Sequence, residues 1–220
     1  MKTAALLLAL AAAAAEPEVP VFDVHFAVIT ARPEAARAAT HAALRREVAI
    51  LNRRFVDAEG RPVVRFRFKE ARVFDEVRGS SCRFVALGDS REPYDSDGWA
   101  EAFNACADPK VRDPKAINFY VYASDGTCHG KRNSGRPYVL IDWVRLGHQG
   151  QSPEEHEMGH AFGLDHVCVP GAKMETSTNI MASSECGQGS GGRRDLGFTA
   201  EQVGVIRERA GQIAKRLRGE

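Results

Sequence analysis

The alternation of apolar and polar positions divides this chain into a short series of elements. Val21 to Ile29 (VFDVHFAVI) alternates and is rich in β-forming residues, which predicts a strand. Pro33 opens a segment rich in Ala, Arg and Leu. Within it Ala38, Ala42, Val48, Leu51 and Phe55 form a helical stripe, so one helix is expected to run to about Phe55. Gly60-Arg61-Pro62 breaks that pattern. Val63 to Phe74 alternates again, as a strand with one wet face would. Residues 75–115 are irregular, with a short helix expected near Trp99 to Ala107. Ile117 to Ala123 and Tyr138 to Val144 are apolar runs that predict buried strands. Asp125-Gly126 marks a turn between them, and loop residues 146–151 follow the second. A helix is expected next, since Ser152 suits an N-cap, Pro153 the first turn, and Glu155 completes a capping box. The order strand, helix, strand, strand, strand, helix implies an α+β (mixed α/β) architecture, with helices packed on a mixed sheet. Near the end, Thr199 and Gln202 form a second capping box and Phe198 with Val203 a hydrophobic staple. Val203, Ile206, Ala210 and Ile213 then supply a helical stripe, read as structural.

Length and charge narrow the picture. A chain of 220 residues holds one domain or two small lobes. A net charge of +1 gives no basic patch for nucleic acid or a membrane surface. The first residues change the picture more. Lys2, the apolar run Ala4 to Ala15 and the small residues Ala13 and Ala15 before Glu16-Pro17 match a secretory signal peptide over residues 1–15. That run is too short to span a bilayer. The remainder is expected to be exported, to the extracellular space or the periplasm. Five cysteines (Cys82, Cys106, Cys128, Cys168 and Cys186) would then mostly pair, leaving at least one thiol over. Cys168 with Cys186, and two of the other three, are the expected bridges.

The chemistry concentrates in residues 152–166, SPEEHEMGHAFGLDH. His156 and His160 stand four apart, so on a helix both rings reach one ion from one face. Glu157 follows the first of them, offset round the helix, where a carboxylate can act as base on water that the metal activates. Gly163 permits the positive φ needed to stop the helix sharply. The chain can then return His166 as a third ligand. Three histidines leave one tetrahedral position open, which suits a catalytic zinc site.

The string HEMGHAFGLDH, with Gly163 and His166 at their offsets, resembles the long zinc-binding signature of the metzincin clan of metallopeptidases. Downstream, residues 177–183 resemble the clan's Met-turn, with Met181 as the hydrophobic floor beneath the histidines. The motif-level resemblance covers residues 152–183. It implies an upper lobe, about 21–163, with a twisted mixed sheet and two helices, and a smaller irregular lower lobe, about 164–220, ending in a helix. It also implies a substrate pairing with an exposed edge strand above the site, which would fall within Thr127 to Arg132. Ser183 stands where some families of the clan carry a Tyr, so no such Tyr is expected. No long pro-segment separates Ala15 from the first strand.

Other features read as ordinary. Asp95, Asp97 and Gly98 resemble part of a calcium loop, but Pro93 and Asn104 fail at its ends. His25, His41, His129 and His148 lack ligand spacing and read as surface or satisfied histidines. No G-x-S-x-G and no phosphate loop appears. The function expected is therefore a secreted, monomeric zinc endopeptidase acting on a protein or peptide substrate. The competing expectation is a secreted zinc-binding protein that uses such a fold for adhesion, inhibition or metal capture.

Overall fold

A computed structural model describes residues 18–29, 32–74, 105–122, 130–131, 136–147, 153–167, 178–182 and 197–220. The segment 1–15, most of the Trp99–Ala107 helix, the Asp125-Gly126 turn, the Asp95–Gly98 loop, His129, His148, Ser152 and Ser183 lie outside these residues. Among the described residues no helix is long and apolar enough to cross a membrane.

Five strands form one sheet: β1 (Val21–Ile29), β2 (Arg65–Phe74), β3 (Ile117–Tyr122), β4 (Gly130–Lys131) and β5 (Tyr138–Asp142). Their spatial order is β2-β1-β3-β5-β4. The first four in that order run parallel, and β4 pairs antiparallel with β5 at one edge. The central strand β3 is buried at every position, which explains its unbroken apolar run. At the opposite edge, β2 turns Arg65, Arg67 and Lys69 outward, as a protected edge does.

The alternation in β2 is not strict. Val24 pairs with Phe68 and His25 with Glu70, leaving Lys69 as an extra, bulged residue. The bulge moves the inward positions from Phe66 and Phe68 to Ala71.

The chain from Pro33 to Phe55 is two helices rather than the expected one: α1 (Pro33–Ala38) and α2 (His41–Arg54). Thr40 lies between them in extended conformation, and its side chain accepts from the Ala43 N–H at 3.1 Å. A threonine cap starts a new helix there, and the apolar stripe shifts phase with it. Ala42, expected inside, is exposed, and Ala38 is half-buried. Ala43, Leu44, Val48 and Leu51 face the core instead. Likewise the run to Val144 leaves the sheet at Asp142. The Asp142 carboxylate accepts from the Val144 N–H and starts a short 3-10 turn, Trp143–Arg145.

Among the described residues two further helices follow, α3 (Pro153–Ala161) and α4 (Ala200–Arg218). On one face of the sheet Phe22, Val24, Ile117 and Val139 meet Leu51 of α2, Met158 of α3 and Ile206 of α4 in a single core. Phe162, just past α3, sits at its centre. Its ring centroid lies 6.0 Å from Phe22, 5.6 Å from Phe55 and 6.4 Å from Phe66. These aromatic contacts tie the end of α3 to two strands and to α2. On the other sheet face Ala27, Tyr120, Tyr138 and Leu140 are also buried. Cys106 is buried as well; the other four cysteines, and so the expected bridges, lie outside the described residues.

Candidate metal centre

The site begins with how α3 ends. Gly163 adopts φ +85°, the left-handed conformation a helix stop requires. Its N–H donates to the His160 carbonyl at 2.8 Å, and the Leu164 N–H donates to the Gly159 carbonyl at 3.0 Å. This crossed pair satisfies carbonyls that the helix end would otherwise strand. It also turns the chain so that the Leu164 carbonyl accepts from His160 Nδ1 at 2.6 Å. The stop therefore orients a ring on the helix it terminates.

Three residues later the chain meets a second turn. The Val167 N–H donates to the Met181 carbonyl at 2.9 Å, and Val167 bridges Ala182 in parallel fashion. Residues Asn179 to Ala182 form a tight turn closed by Ala182 N–H to Asn179 carbonyl, 3.1 Å. Asn179 Oδ1 also accepts from the Met181 N–H at 2.8 Å. The Ile180 carbonyl then accepts from His156 Nδ1 at 2.7 Å. Met181 is fully buried, with its sulfur against Gly159 of α3. A Cβ at Gly159 would run into that sulfur.

The three Nε2 atoms converge as a result. His166 Nε2 lies 3.2 Å from His156 Nε2 and 3.1 Å from His160 Nε2. A carbonyl can only accept, so Nδ1 of His156 and of His160 must carry the proton, which leaves each Nε2 as a lone pair. Two such lone pairs directed at one neighbourhood, with a third ring nitrogen beside them, make a donor set that a cation can hold. Tetrahedral zinc with Zn–N bonds of about 2.0–2.1 Å sets its ligand nitrogens about 3.3 Å apart, close to the separations here. The donor set fits a metal ion, and the described residues contain no other such histidine, cysteine or carboxylate group. His160 is buried, whereas His156 and His166 are half-buried, so the cluster opens on their side.

Glu157 is largely buried and stands three residues from His160, on the adjoining part of the helix surface. Behind the helix, Glu154 is buried against Glu47 of α2. Burial first, and then the hydrogen bond with the Glu47 carboxyl, hold the Glu154 carboxyl well above the usual carboxylate range. Glu47 in turn accepts from the Gly147 N–H at 2.7 Å. These contacts anchor the start of α3 to α2 and to the loop after β5.

His156, His160 and His166 are thus brought close enough to hold one metal ion, as expected; Glu157 follows His156 on the helix, and Met181 packs against Gly159 of α3. His25 is buried away from the cluster, its Nε2 donating to the Lys110 carbonyl at 3.1 Å and its Nδ1 lying 4.0 Å from the Glu70 carboxylate. His41 is exposed at the start of α2. Sequence reasoning missed the carbonyls of Leu164 and Ile180, since any residue type carries one. It also missed Asn179 and Gly159. The Asn before Ile180 was a readable turn signal. Compared with known proteins, the chain matches no protein-family model and no curated protein.

Proposed function

We propose that this protein is a secreted zinc endopeptidase of metzincin type, acting as a monomer on protein or peptide substrates. The observation that carries the reading is the convergence of the three Nε2 atoms, with Glu157 following His156 on the helix. His156, His160 and His166 would hold the ion. The chemistry zinc supplies when bound is Lewis acidity, which polarises an amide carbonyl and acidifies water. Glu157 takes a proton from the attacking water and delivers it to the departing amine. The Ile180 and Leu164 carbonyls keep two imidazoles in the tautomer and orientation that present Nε2. The edge strand β4 falls within the span Thr127–Arg132, lies against α3, and pairs antiparallel with β5. Among the described residues β4 is the last strand on its side of the sheet, and an edge at that position suits an extended peptide, which would add as a further strand.

Replacing Glu157 by Ala tests the mechanism. Zinc stoichiometry is expected to stay at the wild-type level, while peptide hydrolysis falls by about 10²–10⁴-fold. Full activity in Glu157→Ala would end the general-base assignment. Wild-type protein that cleaves no member of a peptide library in a chelator-sensitive way would favour a zinc-binding protein without hydrolytic activity.

A further inference from the structure

Gln202 does more than cap α4. Its Oε1 accepts from the Thr199 N–H at 2.9 Å, and its own N–H donates to Thr199 Oγ1 at 3.3 Å, which closes the capping box. The same Oε1 accepts from Asn179 Nδ2 at 2.9 Å, and Gln202 Nε2 donates to Asn179 Oδ1 at 3.3 Å. The orientation of both amides is set by main-chain donors. Thr199 N–H points at Gln202 Oε1, and Met181 N–H points at Asn179 Oδ1. Each amide is thereby left with its NH₂ facing the other's oxygen, a reciprocal pair that only two carboxamides can make. A capping box needs no such donor, since Glu serves there as well as Gln.

What the pair holds is the turn that orients His156. Asn179 lies next to Ile180, whose carbonyl accepts from His156 Nδ1. The Ile180 N–H is held by the Gly197 carbonyl at 3.0 Å, and the Gly197 N–H by the Thr178 carbonyl at 3.0 Å. The turn is therefore pinned on one side by main chain and on the other by the amide pair, and Gln202 is largely buried where it does this.

We infer that Gln202 is a positioning residue for the metal centre, acting through Asn179 and the Ile180 carbonyl on the ring of His156. The inference rests on reading the three histidines as a metal site. Partners that orient a ligating imidazole typically change metal affinity by about 10–100-fold, and Gln202 acts one link further out.

The variant that separates positioning from capping is Gln202→Glu. It keeps the cap and the acceptor for Thr199 and Asn179, but sets a carboxylate oxygen against Asn179 Oδ1. Zinc affinity is measured by competition with a chromophoric chelator. The His156 Nδ1–H proton resonance of the zinc-loaded protein and the denaturant unfolding of zinc-free protein are followed beside it. Gln202→Glu and Asn179→Ala are each expected to weaken zinc binding by about 10-fold and to shift the His156 resonance. The double variant should be no weaker than Asn179→Ala alone, because the two act as one unit. Thr199→Ala, which removes only the cap, should lower stability and leave zinc affinity within about twofold. Gln202→Glu that binds zinc as tightly as wild type, with the His156 resonance unmoved, overturns the positioning role alone. Wild-type protein that binds no zinc, or whose binding is undiminished by His160→Ala, overturns the metal-centre reading and the positioning role with it.

Discussion

Two buried histidines, His25 and His160, sit in opposite electrostatic settings. Each is about 1% exposed, and each has one ring nitrogen on a main-chain carbonyl. For His25 the other nitrogen, Nδ1, faces the Glu70 carboxylate at 4.0 Å. For His160 it faces another imidazole nitrogen at 3.1 Å. Burial and a carbonyl partner thus do not distinguish a packed histidine from a ligand. What does is the direction of the remaining ring nitrogen, toward other imidazole nitrogens for His160 and toward a carboxylate oxygen for His25.

That contrast can be broken most forcefully at His160. His160→Ala is expected to weaken zinc binding by more than the roughly 10–100-fold that loss of an orienting partner costs, while His25→Ala leaves zinc stoichiometry unchanged. Equilibrium dialysis with zinc compares the two, and equal losses would erase the distinction. A smaller effect should follow at Gly159. An alanine there meets the Met181 sulfur, so Gly159→Ala should cost about 1–3 kcal/mol of unfolding free energy. Urea unfolding of zinc-free protein reads this directly. His25→Ala should cost about 1–3 kcal/mol in the same assay, because it empties the space of a buried ring and removes its hydrogen bond to the Lys110 carbonyl.

The smallest effect expected is one of pH. Burial, opposed by the Lys110 carbonyl and by Asp113 and Glu70, holds the His25 pKa below its ordinary 6.5. The unfolded chain therefore takes up that proton first on acidification. Stability from this group is complete above about pH 6.5 and is lost as pH falls through the lowered folded value. Unfolding free energy should decline more steeply between pH 7.5 and 5 in wild type than in His25→Ala. Chelator in both samples lets the contribution of the other histidines cancel. Matching slopes would show that folding does not shift the His25 pKa.

Much of this contrast was legible beforehand, and the rest was hidden for identifiable reasons. His156, His160 and His166 could be read because ligand spacing on a helix, and Gly163 at its stop, are properties of residue types. Strand β1 could be read from its alternation of β-forming residues, and β3 and most of β5 because burial on both faces demands apolar runs. The Thr40 cap was missed because the helical stripe on either side looked continuous, although a threonine is a standard helix start. The bulge at Lys69 was missed because one inserted residue leaves no compositional trace. Gln202 was seen only as half of a capping box, since its second partner lies 23 residues away in sequence. Glu47 and Glu154 pass for solvated helix charges until α2 and α3 are packed together.

The carbonyls of Leu164 and Ile180 have one more consequence. An orienting group made of main chain survives any change of side chain at its own position. Sequence drift at 164 or 180 is filtered by packing alone, not by loss of the acceptor. Someone transplanting this site into another scaffold would gain little by copying its side chains. The part to carry across is the path of the backbone: a left-handed residue after the helix and a tight turn beneath it.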